Sequence, residues 1–195
     1  MTDERLPAEI LTDRLILRCW CEGDGPALKE AIDTNLAHLQ RWMPWAMEEP
    51  SSQENMAARV LRFERAFRAG EDWPYGIFAR HDRQVVGACG LHRRHGPNTL
   101  EIGYWVGVAH TRQGYATEAA RALTATAFGL PQLEYVEIRC DPANVASAGV
   151  PKRLGYRLVE ILTNDTVTPT GEPRDTMVWR IGREEYEAWS MPSGG

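Results

Sequence analysis

The sequence predicts a single α/β domain, residues 1–195, around a mostly antiparallel sheet of about seven strands. Three observations lead there. A chain of 195 residues buries enough surface to form one core without disulfide or metal staples. Its 43% hydrophobic and 25% charged residues are ordinary globular values, which exclude disordered, collagen-like and coiled-coil chains. Helical and strand periods also interleave along the chain, in the order β-α-α-β-β-β-α-β-α-β-β, with no internal repeat.

Each element has a local reason. After a mobile leader, TDRLILRCW (residues 12–20) sets Leu15, Leu17 and Cys19 at the period of two that marks a strand. Asp24 then caps a short helix reaching Asn35, with Pro26 tolerated in its first turn. LQRWMPWAMEEP follows, where two prolines discourage regular structure and predict a functional loop. Ser51 and Glu54 have capping-box spacing, and Met56, Val60, Phe63 and Phe67 line one face of a helix ending near Gly70. YGIFAR, VVGACGLHRR and LEIGYWVGV read as an antiparallel meander broken at His81-Asp82 and Gly96-Pro97-Asn98. A helix over 114–128, the strand YVEIRC, a shorter helix from Asn144 and the strands YRLVEIL and DTMVWRI complete the chain, the last two joined by residues 164–173.

Composition narrows the function. A net charge of −5 and a pI near 5.6 argue against general nucleic-acid binding. Uncharged stretches such as 122–132 fall short of the ~20 apolar residues that cross a bilayer, so no membrane association is expected. MTDERLPAEI carries acids where a secretory signal is basic, which predicts a cytoplasmic protein. Cys19, Cys21, Cys89 and Cys140 form no CxxC pair and read as reduced structural thiols. His92 and His95 make an HxxH pair without a supporting thiol or carboxylate pattern, so no metal is expected.

The segment LEIGYWVGVAHTRQGYATEA (residues 100–119) carries the chemistry. A strand runs through Arg112-Gln113-Gly114-Tyr115-Ala116 into a helix whose first N–H groups lack intrahelical partners, a natural seat for phosphate. Gly114 and Ala116 let an anion approach the backbone, and the spacing fits neither GxGxxG nor GxxxxGK[ST]. Further on, NVASAGVPKRLGYRL places Asn144 and Ser147 three apart at a helix start and closes that helix at Leu154-Gly155-Tyr156.

Together these two segments resemble the GNAT superfamily of N-acetyltransferases, whose phosphate loop reads roughly [RQ]xxGx[GA] and whose later helix often reads NxxSxxxxxxLGF. LTDRLILRCW and GYATEA narrow the resemblance to the RimJ/RimL-like branch, over residues 11–181. The resemblance implies helices on both sheet faces, strands splayed by a bulge between the fourth and fifth, and acetyl-CoA as cosubstrate. It places the pyrophosphate on the amides of Arg112, Gln113, Gly114, Tyr115, Ala116 and Thr117, with Asn144 and Ser147 nearby. The pantetheine arm then pairs along Val106, Gly107 and Val108, and the Val106 N–H faces the carbonyl oxygen. Gly103 and Gly107 ease the distortion.

The chain departs from the family pattern twice. Thr111 stands where Arg or Gln is preferred, which weakens a support supplied mainly by main-chain amides. Pro151 stands where many members carry the tyrosine that protonates the leaving thiolate, and proline has no proton to give. By resemblance Ser147 takes that place, as proton donor or as a group that orients the sulfur; its alternative is a hydroxyl bonded to its own backbone. Proline beyond the first turn also predicts a kink.

The resemblance gives Glu101 the general base's position, against the alternative of an exposed strand end. Trp42, Trp45, Trp73 and Tyr75 are read as walls of an acceptor pocket or as core packing. The resemblance implies a primary amine as acceptor: a protein N-terminus, or a small aminoacyl compound, amino sugar or antibiotic. An idle acyl-CoA-binding regulator is the reading of another class. The oligomeric state, monomer or homodimer, stays open.

Overall fold

The computed structural model describes residues 6–168 and 171–190. Among them run eight strands: β1 (Glu9–Leu11), β2 (Leu15–Cys19), β3 (Asp72–Ala79), β4 (Val85–His92), β5 (Thr99–Val106), β6 (Tyr135–Cys140), β7 (Arg157–Val167) and β8 (Pro173–Gly182). They form one sheet in the order β1-β2-β3-β4-β5-β6-β8-β7. Every neighbouring pair is antiparallel except β5 and β6, which run parallel.

Strand alternation divides the core between the two sheet faces. On one face Ile16, Trp20 and Phe78 pack with Leu28 and Ile32 of α1 (Gly25–Thr34), Leu39 of α2 (Leu36–Trp42) and Met56 and Val60 of α3 (Gln53–Ala69). On the other, Leu17, Leu100 and Ile102 pack with Ala119 and Leu123 of α4 (Tyr115–Phe128) and Val150 of α5 (Val145–Arg153). Each buried Leu or Ile contributes about 1.5–3 kcal/mol, which is what ties the helices to their faces.

Several local expectations are corrected. The leader contributes a strand, β1, whose Ile10 pairs with Leu17 of β2. LQRWMPWAMEEP is helical: α2 ends at Trp42 and a 3-10 turn covers Pro44–Glu48, with Pro44 in the opening position where its missing N–H costs nothing. Asp24 gives α1 no side-chain cap, because its carboxylate accepts from both Arg18 guanidinium nitrogens at 2.7 and 2.8 Å. The α3 cap is Ser52, one residue beyond the capping-box reading, with its Oγ accepting from Asn55 N at 3.1 Å. β7 continues through Val167 into the stretch expected to be a loop, and a sixth helix, α6 (Arg183–Ser190), closes the described chain.

The splay expected between the fourth and fifth strands lies between β5 and β6, the added β1 shifting the count. Their pairing stops at Ile102↔Ile138, although β5 runs to Val106 and β6 to Cys140. The β4–β5 register is unbroken from Gly87↔Val106 to His92↔Glu101, so the wedge comes from β6 turning toward β8 and not from the expected bulge in β5. Gly107 N donates to Val86 O of β4. Alternation therefore aims the main-chain groups of Tyr104 and Val106 the other way, into the wedge.

Candidate active site

A cleft of about 850 Å³ opens on the α4–α5 side of the wedge. Its floor is the turn into α4, where Arg112 (φ +60°) and Gly114 (φ +81°) both adopt the left-handed conformation. Such a turn gathers successive N–H groups into a concave anion site. Gly114 is the helix cap and has no side chain to occupy those groups; the first intrahelical bond is Glu118 N to Gly114 O at 2.9 Å. The amides of Tyr115, Ala116 and Thr117 are left for a ligand, with the helix dipole favouring negative charge.

A distant segment holds this turn in place. Arg14 donates to the Gln113 carbonyl at 2.8 Å and to Glu118 Oε2 at 2.7 Å, and its guanidinium lies 4.7 Å from the centre of the Tyr115 ring. Thr12 Oγ1 and Arg14 N both donate to Glu118 Oε1, at 2.6 and 2.9 Å. Burial works against the Glu118 charge, but the Thr12 hydroxyl and the Arg14 donors outweigh it and hold the carboxyl below its usual range. The ionised Glu118 carboxylate is thereby paired with the Arg14 guanidinium.

Of the residues expected around the cosubstrate, Val106, Arg112, Gly114, Tyr115, Ala116, Thr117, Asn144 and Ser147 line this cleft. Gly107, Val108 and Gln113 do not. Gly107 N is spent on β4, Val108 N donates to Asn35 Oδ1 at 2.7 Å, and the Gln113 side chain donates to Ala109 O at 2.9 Å.

A second cleft of about 560 Å³ lies on the opposite sheet face, beneath α2 and α3. Glu101 reaches it from β5 at 9% exposure, accepting from Arg94 at 3.0 Å on one oxygen and lying 2.7 Å from His95 Nε2 on the other. The strand-end alternative for Glu101 therefore fails as a solvated position, since its carboxylate is enclosed and doubly bonded. His92 and His95 diverge, His92 Nδ1 meeting Asp72 at 2.8 Å.

Trp42 and Trp45 line the second cleft; Trp73 and Tyr75 do not. The latter two are 1% and 0% exposed and belong to the core on the α4 face. DWPY is the start of β3 rather than a loop, and alternation sends Asp72 and Pro74 to the cleft and Trp73 and Tyr75 away from it. The Tyr75 hydroxyl is occupied by Pro7 O at 2.8 Å.

The clefts meet at the wedge, where Tyr104, Trp105, Asn144 and Ser147 line both, with Trp42 and Met43 of the α2 end also shared. Asn144 caps α5, its Oδ1 accepting from Ser147 N at 3.1 Å. α5 continues past Pro151 to Arg153. Burial raises the Cys140 thiol above its usual range, beside the Ser147 hydroxyl.

The sequence pattern of the family described as "Acetyltransferase (GNAT) domain" matches residues 14–157. The chain belongs to this family. It is a GNAT N-acetyltransferase, and relatives cover nearly its whole length. YdaF of Bacillus subtilis (strain 168), provisionally named a ribosomal N-acetyltransferase, is 27% identical over 179 residues, 91% of this chain and 96% of YdaF. RimL, a ribosomal α-N-protein acetyltransferase solved with coenzyme A, superposes with a TM-score of 0.80 at 23% identity, over 92% of this chain and 98% of RimL. MccE, the microcin self-immunity acetyltransferase solved with acetyl-CoA and AMP, gives 0.82 at 18%, over 90% and 97%.

Sequence reasoning missed Arg14 and Tyr104, which line these clefts, and Asn35, which holds Val108 N outside them. Arg14 lies 99 residues before the turn it clamps, and nothing local marks it. Asn35 was read as a helix end. Tyr104 was legible in principle, since it shares the strand face of Leu100 and Ile102 and is the first of that set beyond the parallel pairing.

Proposed function

We propose that this GNAT enzyme transfers the acetyl group of acetyl-CoA to the α-amine of a peptide or protein N-terminus, in the cytoplasm. One observation carries the reading: an open helix start on one sheet face and an enclosed carboxylate on the other drain into the same wedge. The residues fit the cosubstrate. Tyr115, Ala116 and Thr117 amides suit its pyrophosphate, Arg112, Arg121 and Arg153 add positive charge around that cleft, and the free strand edge at Val106 suits an amide-bearing arm.

The chemistry follows from these positions. The amine nitrogen forms the new C–N bond at the thioester carbon and the C–S bond breaks. Glu101 takes the amine proton directly or through water, the Val106 N–H steadies the carbonyl oxygen, and the Ser147 hydroxyl faces the departing sulfur. An α-amine suits this site: freeing it at pH 7 costs about 1.4 kcal/mol, against about 4.6 for lysine. The relative named for ribosomal proteins supports the same acceptor class.

The flat walls of Trp42 and Trp45 favour a second reading, an amine on a planar small molecule. Labelled acetyl-CoA offered with short peptides and with free small amines separates the two. Label on peptide α-amines is expected; label confined to the free amines overturns the first reading.

A further inference from the structure

The Ser147 carbonyl has lost its helix partner. In an unbroken α-helix it would accept from the N–H of residue 151, and that residue is Pro151, inside α5 and without an N–H. A carbonyl left without a partner at a partly buried site is costly. Here a side chain from another element fills the gap: the Tyr104 hydroxyl lies 3.1 Å from Ser147 O and 3.1 Å from Ser147 Oγ.

We propose that Tyr104 is a positioning residue for Ser147, its hydroxyl standing in for the N–H that Pro151 deletes and so fixing the serine hydroxyl at the wedge. This rests on the reading of Ser147 as the group facing the departing sulfur. The arrangement is specific. A phenol has one proton and two lone pairs. The carbonyl can only accept, so the proton goes there, and a phenol lone pair receives the Ser147 hydroxyl until negative charge grows on sulfur and draws that hydroxyl across. Burial pushes the Tyr104 hydroxyl well above its usual range, so it keeps its proton throughout the working pH range. Asn144 holds the N–H of Ser147 while Tyr104 holds its carbonyl, so side chains pin both main-chain groups of one residue.

Tyr104 owes its reach to the wedge. It lies two residues past the last β5–β6 pair, where β6 has turned away and the gap toward α5 is open. The same proline that removes the family's tyrosine from α5 thus creates the need for a tyrosine arriving from β5.

A double-mutant cycle tests this, with turnover measured on whichever probe peptide or amine takes label. Tyr104→Phe should lower kcat about tenfold, the worth of one buried hydrogen bond, with KM for acetyl-CoA unchanged. Pro151→Ala returns an N–H to the Ser147 carbonyl, so in that background Tyr104→Phe should cost less than about twofold. Equal losses in both backgrounds, or no loss in either, overturn the proposal. If no probe is acetylated by the unmodified protein, the acetyl-transfer reading fails separately, and hydrogen exchange still decides the role of Tyr104. Amides of α5 should exchange about tenfold faster in Tyr104→Phe alone and at the original rate when Pro151→Ala is added; unchanged exchange in the single variant overturns it.

Discussion

The two clefts are built from different materials. The cleft proposed for the acetyl donor offers the main chain of one short stretch, residues 112–117, whose left-handed turn and helix start without a side-chain cap present N–H groups whatever most of the side chains are. The acceptor cleft is made of side chains delivered by α2, α3, β3, β4 and β5. Main-chain recognition suits a cosubstrate part shared by a whole family and tolerates departures such as Thr111. Side-chain recognition changes with every substitution, and on the proposed function that is where acceptor choice would reside.

The largest effect that separates them concerns the tryptophans. Trp73→Ala should cost about 3–5 kcal/mol in denaturant unfolding, because it empties the core, while Trp45→Ala should act mainly by raising the acceptor KM. A greater KM rise for Trp73→Ala than for Trp45→Ala would return Trp73 to the pocket. Glu101→Gln should lower kcat at pH 7 about a hundredfold, at the weak end for general bases because an α-amine needs little help, with coenzyme A affinity unaltered. Equal turnover of the two proteins across pH removes Glu101 from the chemistry and makes it a structural partner of Arg94 and His95. Next comes Gly114→Asp, which forces a side chain into the left-handed region, at about 1–2 kcal/mol, and sets a like charge beside the pyrophosphate. Calorimetry should show coenzyme A affinity reduced about tenfold by the like charge, the backbone strain being common to free and bound protein; a change under about threefold would place the phosphate elsewhere.

The same contrast explains what the sequence disclosed. The left-handed turn into α4, the Asn144 cap and the meander were legible because each is set within a few residues by glycine, a capping side chain or a period of two. The acceptor wall was half legible. Trp42 and Trp45 line the second cleft, whereas Trp73 and Tyr75 take the core alternative, since a strand misread as a loop loses its alternation. α2 was hidden by prolines that sit just outside it. Arg14 was invisible for another reason: it acts on a segment 99 residues away, through contacts that exist only after the sheet has formed, and the Ser147 partner of Tyr104 was hidden in the same way although its strand face was not.

The smallest expected effect sharpens the contrast from the donor side, where main-chain geometry itself depends on the Thr12–Arg14–Glu118 clamp. The Glu118 carboxyl is held below its usual value of 4.5 in the folded protein. A group depressed in this way stabilises the fold fully above its unfolded value, and that stabilisation is lost as the pH falls through the folded value. Glu118→Gln should therefore lower stability by about 1 kcal/mol at pH 7, a modest figure because the Arg14 side chain is half exposed and screened by water. The difference between the two proteins should stay constant from pH 7 down to about 5 and shrink below about 4.5. Coenzyme A affinity should follow the same course, since the clamp fixes the Gln113 carbonyl beside the anion site. A difference that widens on acidification would show that Glu118 opposes the turn instead of holding it, and the donor cleft would then be as self-contained as its sequence suggested.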